Sequence, residues 1–222
     1  LYNVEEDIQK ALQTRVALKS GGYLMLDQTE AMATIDVNTG SYVGGRTLED
    51  TVFKTNMEAT QVIARQLRLR NLGGIIIIDF IDMQEAQHRE EVMSQFERML
   101  ERDHAKTKIT QVSELGLVEM TRKRTRESLE HLLCESCSTC QGRGYVKTAE
   151  TVCYEIFREI LRYARAFESK SEFTVIAHPL VIDRLLTAEA PAVADLEHFI
   201  GRMIKFQVEN LYTQEQYDII LS

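Results

Sequence analysis

An α/β layout is the fold class this sequence predicts: a mixed sheet with helices packed on it, followed by a smaller α+β domain. Three observations predict it. Gly73-Gly74 opens a run of four isoleucines, 75–78, that ends at Asp79. Such a β-branched run, with neither helical nor alternating period, reads as a central strand with both faces buried. Long stretches with apolar residues at helical spacing flank it at 48–70 and 83–104, and a break rich in cysteine and glycine at 134–144 precedes a second set of helix and strand patterns.

The 222 residues allow one large domain or two small ones. With 44% hydrophobic and 27% charged residues and two prolines, the composition is that of an ordinary globular protein. No apolar run approaches the ~20 residues that span a bilayer, and no signal-peptide pattern opens the chain. The net charge of −8 argues against a surface that binds nucleic acid everywhere. Cations are clustered all the same, as Arg65, Arg68, Arg70 and as Arg122, Lys123, Arg124, Arg126. Either cluster could meet phosphates or simply be a solvated face. Four cysteines in such a chain point to a reducing compartment and to metal binding rather than disulfides.

Residues 1–19 read as an amphipathic helix. Gly21-Gly22 then precedes two strands, 23–27 and 31–38, joined by a short turn as a hairpin. In the second strand Ile35 and Val37 face one way, Asp36 and Asn38 the other. Gly40, Gly44 and Gly45 give a loop that lets a substrate approach the backbone. Ala59, Val62, Ile63 and Leu67 mark the helix of 48–70, which Asn71 and Gly73 stop. Val92, Phe96, Met99 and Leu100 mark the next helix, and 108–112 and 117–120 read as strands. Residues 124–133 are helical or linking. Beyond the cysteine segment come a helix over 151–167, a strand over 173–177, short helices over 181–186 and 196–201, and strands at 204–208 and 217–221.

The acids are the first chemical signal. If the hairpin strand neighbours the isoleucine strand, Asp36, Asn38 and Asp79 converge at one rim, where open α/β sheets bind ligands. Hard cations such as Mg²⁺ take one or two carboxylates plus waters and phosphates. A solvated strand-end acid is the plainer reading of Asp79. Asp27 is accounted for by its turn, Asp82 and Glu85 by a helix start where acids cap, and His88 by an exposed helix face. The second signal is Cys137-x-x-Cys140 followed by Gly142-x-Gly144, a metal knuckle. Cys134 is a third sulfur, and Cys153 reads as a buried core thiol. Tetrahedral zinc needs four ligands, so two thiolates from each of two copies would complete a site on a two-fold axis.

Gly21-Gly22-Tyr23, Thr34-Ile35-Asp36-Val37-Asn38, Arg65-Gln66-Leu67-Arg68-Leu69-Arg70, the stretch from Gly73 to Met83 and the knuckle together resemble the ribonuclease E/G family. Gly144-Tyr145-Val146-Lys147-Thr148 and Thr151-Val152-Cys153-Tyr154-Glu155-Ile156 resemble its ribonuclease G branch. The resemblance implies a DNase I-like catalytic subdomain over 20–133, a zinc-link over 134–147 and a small dimerisation domain over 148–222, with 1–19 leading in from a missing amino-terminal part. It implies Mg²⁺ on Asp36 and Asp79 with Asn38 beside them, and Zn²⁺ shared between protomers through Cys137 and Cys140. Lys106 falls where a related enzyme carries a basic residue near the site, and Cys134 stays unassigned. The implied activity is a cytoplasmic endoribonuclease. It would cut single-stranded, A/U-rich RNA to 5′-phosphate and 3′-hydroxyl ends in ribosomal RNA maturation and messenger RNA decay, as a homodimer or higher oligomer. The family's S1 RNA-binding domain and 5′-sensing pocket have no counterpart in these residues. An inactive zinc-linked scaffold is therefore the rival expectation, and a metal phosphoesterase acting on DNA a third.

Overall fold

Why one face of the isoleucine strand is dry and the other wet follows from where the two long helices lie. The computed structural model describes residues 3–40, 48–110, 112–113, 116–166 and 172–221. Gly44, Gly45, Gln111 and Phe167, which figure in the sequence-based expectations, lie outside the described residues. The chain divides into two units, Leu1–Glu135 and Ser136–Ser222.

In the first unit α1 (Val4–Ala11) leads into β1 (Arg15–Ala17), β2 (Tyr23–Gln28), β3 (Met32–Asn38), α2 (Leu48–Leu69), β4 (Gly74–Asp79), α3 (Ala86–Leu100), β5 (Thr107–Ile109), β6 (Leu117–Arg122) and α4 (Leu129–Leu133). The six strands form one sheet in the order β1-β2-β3-β4-β6-β5. Only the β3–β4 pair is parallel, so the sheet is mixed. Leu24, Leu26, Ala33, Ile35, Val37, Ile76, Ile78, Val118 and Met120 share one face of it. They pack with Ala59, Ile63 and Leu67 of α2 and Val92, Phe96 and Leu100 of α3 in a single core.

The isoleucine strand is therefore not buried on both faces, as its sequence suggests. Ile76 and Ile78 are fully buried under the helices, while Ile75 on the opposite face is 47% exposed. Strand period decides this: a covering layer on one side buries alternate residues, whatever their hydropathy. The leading helix is likewise shorter than residues 1–19. It ends at Ala11, and Arg15–Ala17 pairs antiparallel with β2 as an edge strand. The helix expected over 83–104 is α3, Ala86–Leu100. Before it, the N–H groups of Gln84 and Glu85 are taken by the Glu49 carboxylate of α2. After it, Asp103 is held by Arg122, whose Nε donates at 2.7 Å in an ion pair with both side chains nearly fully buried.

Two members of the expected cation clusters are structural. Arg122 also donates to the Leu72 carbonyl, and the buried Arg70 donates through Nε to Gln66. Asn71, with φ of 50°, turns the chain out of α2 as its sequence position suggests.

The second unit holds α5 (Ala149–Ala166), β7 (Phe173–Ala177), α6 (Pro179–Leu186), α7 (Ala190–Ile200), β8 (Ile204–Val208) and β9 (Tyr217–Leu221). Its sheet runs β8-β7-β9, with β8 parallel and β9 antiparallel to the centre. Val152, Cys153, Ile156 and Ile160 of α5 pack against Phe173, Val175 and Ala177 in a separate core. α7 begins six residues before the expected 196, because Pro191 sits in its first turn, where no helical N–H is needed.

Candidate metal and nucleic-acid site

Parallel pairing of β3 with β4 decides the geometry. Its register sets Met32 beside Ile75, Ile35 beside Ile78 and, at the carboxyl rim, Asp36 beside Asp79. Neighbouring strands lie about 4.8 Å apart, so the two carboxylates stand next to each other on the face the helices leave open. Asn38, one turn of the pleat further on, donates from Nδ2 to Asp36 Oδ2 at 2.8 Å. Asp36, Asn38 and Asp79 are thus brought together on one face.

Electrostatics marks the same spot. Partial desolvation raises the pKa of Asp79 above the usual aspartate value, and the charges of Asp36 and then Asp82 push it further. Like charges crowded in this way disfavour ionisation, and a cation placed between them relieves the repulsion. The donor set of two carboxylates and an amide suits a hard, oxygen-loving cation. Among the described residues no group of three or more His, Cys, Asp or Glu is placed to hold a metal ion, so a cation here would rest on the Asp36–Asp79 pair. A site of this kind would leave coordination positions for water and phosphate.

Two further residues hold the rim in place, of which sequence reasoning passed over Asn56. Asn56 of α2, fully buried, accepts the Ile81 N–H through Oδ1 and donates Nδ2 to the Ile81 carbonyl at 2.7 Å, pinning the chain just past Asp79. Its signal was there: Asn56 falls on the apolar stripe that runs through Val52, Ala59 and Ile63, where a polar residue needs a partner. Gly22 packs against the end of β3. A Cβ there would stand 2.5 Å from the Asn38 carbonyl oxygen and 3.1 Å from Thr55 Cγ2. Only glycine lets the two chains pass this closely.

Three expectations change. His88 is not an exposed helix residue: it stacks on Phe53 with ring centroids 4.2 Å apart, and its Nδ1 lies 3.1 Å from Glu49. Glu85 stands at the start of α3 but makes no side-chain cap, since Glu49 does that work from α2, and Asp82 lies four residues before the first helical residue. Lys106 is not near the acids. The Lys123 N–H donates to its carbonyl, and the following Thr107 pairs with Arg122, which pairs with Gly74 at the opposite end of β4. Five residues of strand, about 17 Å, separate that end from Asp79.

In the second unit Cys137 and Cys140 occupy one tight turn, closed by the Gln141 N–H on the Cys137 carbonyl at 2.7 Å. Gln141, Gly142 and Gly144 all have positive φ. The N–H groups of Cys140 and Thr139 point at the Cys137 sulfur and lower its pKa, which favours the thiolate that metals bind. Glu215 braces the turn by accepting from the Arg143 guanidinium and the Lys147 N–H. Cys153 is buried, and burial pushes its thiol up to about 11, so it is the core thiol its helix position suggests. Cys134 is exposed.

Comparison with known proteins agrees with the resemblance read from the motifs. Residues 1–125 match the model of the ribonuclease E/G family. The chain is 60% identical over 221 residues to a ribonuclease G of Salmonella typhimurium (strain SL1344), covering 100% of this chain and 45% of that protein. It is 56% identical over 222 residues to a ribonuclease G of Haemophilus influenzae, again 100% of this chain and 45% of the relative. A chloroplastic ribonuclease E/G-like protein of Arabidopsis thaliana is 39% identical over 174 residues, 78% of this chain and 17% of the relative. The chain thus spans about half the length of the ribonuclease G proteins it matches. On sequence motifs, family match and whole-chain identity together, this chain belongs to the ribonuclease E/G family.

Proposed function

We propose that the first unit is the catalytic part of an endoribonuclease, DNase I-like in architecture, that uses Mg²⁺ held by Asp36 and Asp79. The observation that carries this reading is the side-by-side register of those two acids at the rim of a parallel strand pair. A bound Mg²⁺ supplies Lewis acidity toward a phosphoryl oxygen and lowers the pKa of a water. The chain's own groups do the rest. Asp36 and Asp79 give the rim the negative charge that holds the cation. Asn38, already bonded to Asp36, keeps that carboxylate oriented, and its amide would orient the scissile phosphate. Attack on phosphorus by water, with departure of the 3′ oxygen, leaves a 5′-phosphate and a 3′-hydroxyl. The substrate class is single-stranded, A/U-rich RNA, as in ribosomal RNA maturation and messenger RNA decay, and the compartment is the cytoplasm. Among the described residues no helix is long and apolar enough to cross a membrane.

The second unit, in the same reading, contains the family's small dimerisation domain, with the turn at Cys137 and Cys140 before it. Cys137, held toward its thiolate, and Cys140 in the same turn would make half of a tetrahedral zinc site, and the other half would come from a second copy. A scaffold role without cleavage is the reading this competes with, and one experiment separates them. The chain is incubated with Mg²⁺ and a 5′-monophosphorylated RNA oligonucleotide, beside Asp36→Asn and Asp79→Asn variants. Cleavage by the wild type, reduced at least 100-fold in both variants, is the expected result, in keeping with the loss of charge stabilisation at the reacting phosphate. Wild-type rates in either variant would refute the assignment. An inactive wild type would favour the scaffold.

A further inference from the structure

Beyond Asp79 the chain does not leave the rim at once. Phe80 to Met83 run on from β4 and, with α3 and Val112, Ser113 and Gly116, line an open cavity of about 450 Å³. Its walls combine flexible apolar side chains, Ile81, Met83 and Met93, with three polar ones, Asp82, Arg89 and Ser113. Walls about as polar as they are apolar suit a small flat ligand with hydrogen-bonding edges. Asp82 has no capping role at α3, whose preceding N–H groups go to Glu49. Its Oδ1 faces Gly116, where a Cβ would stand 3.4 Å from the oxygen, an ordinary contact, and the φ of 82° is what favours glycine there. Arg89 is fixed by donating to the Met83 and Gln84 carbonyls.

The geometry points to this cavity as the pocket for a nucleobase flanking the scissile phosphate, with Asp82 accepting a hydrogen bond from the base's exocyclic amino group. The inference rests on the reading of Asp36 and Asp79 as an RNA-cleaving site, since what commits the cavity to a base is that its wall is the direct continuation of the Asp79 strand. Bases of single-stranded RNA are splayed from the stack and recognised by their edges, and thioether side chains offer a polarisable surface for a ring face. A carboxylate is the natural acceptor for an amino group and repels a bare phosphate, so the pocket takes a base and not the backbone. Asp82 is then a specificity residue for adenine over a base without the amino group.

The test is the affinity of the chain for two fluorescein-labelled decamers, one of adenosine and one of purine riboside, which lacks only the amino group. Anisotropy is read at fixed salt without divalent cation, so no cleavage intervenes. The wild type should bind the adenosine decamer about tenfold more tightly, the low end for a hydrogen bond to a charged group. Asp82→Ala should bring the ratio near one, and Met93→Trp, which fills the cavity, should weaken both complexes. An unchanged ratio in Asp82→Ala overturns the proposal, as does wild-type affinity in Met93→Trp. Equal wild-type binding of the two decamers defeats the base pocket alone, whereas binding of neither defeats the RNA reading with it. Should Asp82→Ala lose Mg²⁺-dependent cleavage with the ratio intact, Asp82 serves the cation and not the base.

Discussion

A single buried amide holds the chain just past Asp79. Asn56 meets both backbone groups of Ile81, two residues past Asp79, and nothing apolar of its size could replace it. Asn56→Leu should destabilise the fold by about 1–3 kcal/mol, since it leaves a buried N–H and a carbonyl unpaired. It should also lower cleavage in the fraction that remains folded, because Asp79 loses its anchor. Urea unfolding by circular dichroism beside the cleavage rate checks both, and unchanged values of each would show that Ile81 is held from elsewhere. At this scale the convergence of Asp36, Asn38 and Asp79 at one rim was legible, because each breaks an apolar pattern at a strand end. The residues that fix them were not. Asn56 meets Ile81 and Glu49 meets Gln84 across 25 and 35 residues, and no local pattern reports a partner that distant. Lys106 fails for the opposite reason: its position came from a resemblance in sequence, while β5 pairing carries it to the far end of the sheet.

Elements were legible where period is strong. The hairpin, the α2 helix and the alternating strands of the second unit appear close to where their patterns put them. Ends and faces were harder. Four isoleucines in a row carry no information about which side the helices will cover, and the structure answers that Ile76 and Ile78 lie beneath them. The consequence can be measured. Ile76→Ala should cost about 2–5 kcal/mol, the usual range for emptying a packed core position. Ile75→Thr, on the open face, should fall within about 0.5 kcal/mol of the wild type. Equal large losses for both would mean that the open face is covered after all. The early end of the first helix has a comparable origin. Arg15–Ala17 gains a partner in β2, and that tertiary pairing overrides the helical pattern of residues 1–19.

On the scale of the whole molecule, the proposed reading gives two units with separate cores two different metal chemistries, oxygen donors in the first and sulfur donors in the second. Hard and soft sites of this kind do not compete for the same ion. For the thiol turn, native mass spectrometry should find one zinc per two chains, lost with the dimer in Cys137→Ser; one zinc per chain, or a monomer that keeps its metal, would contradict sharing. The pairing of carboxylates at the rim of β3 and β4 is the claim on which the catalytic reading depends. Its most direct test is a titration of the chain with Mn²⁺ followed by electron paramagnetic resonance, with Mg²⁺ as competitor. The account predicts one Mn²⁺ per chain that Mg²⁺ displaces, with affinity at least tenfold weaker in both Asp36→Asn and Asp79→Asn. Wild-type affinity in either variant would contradict it.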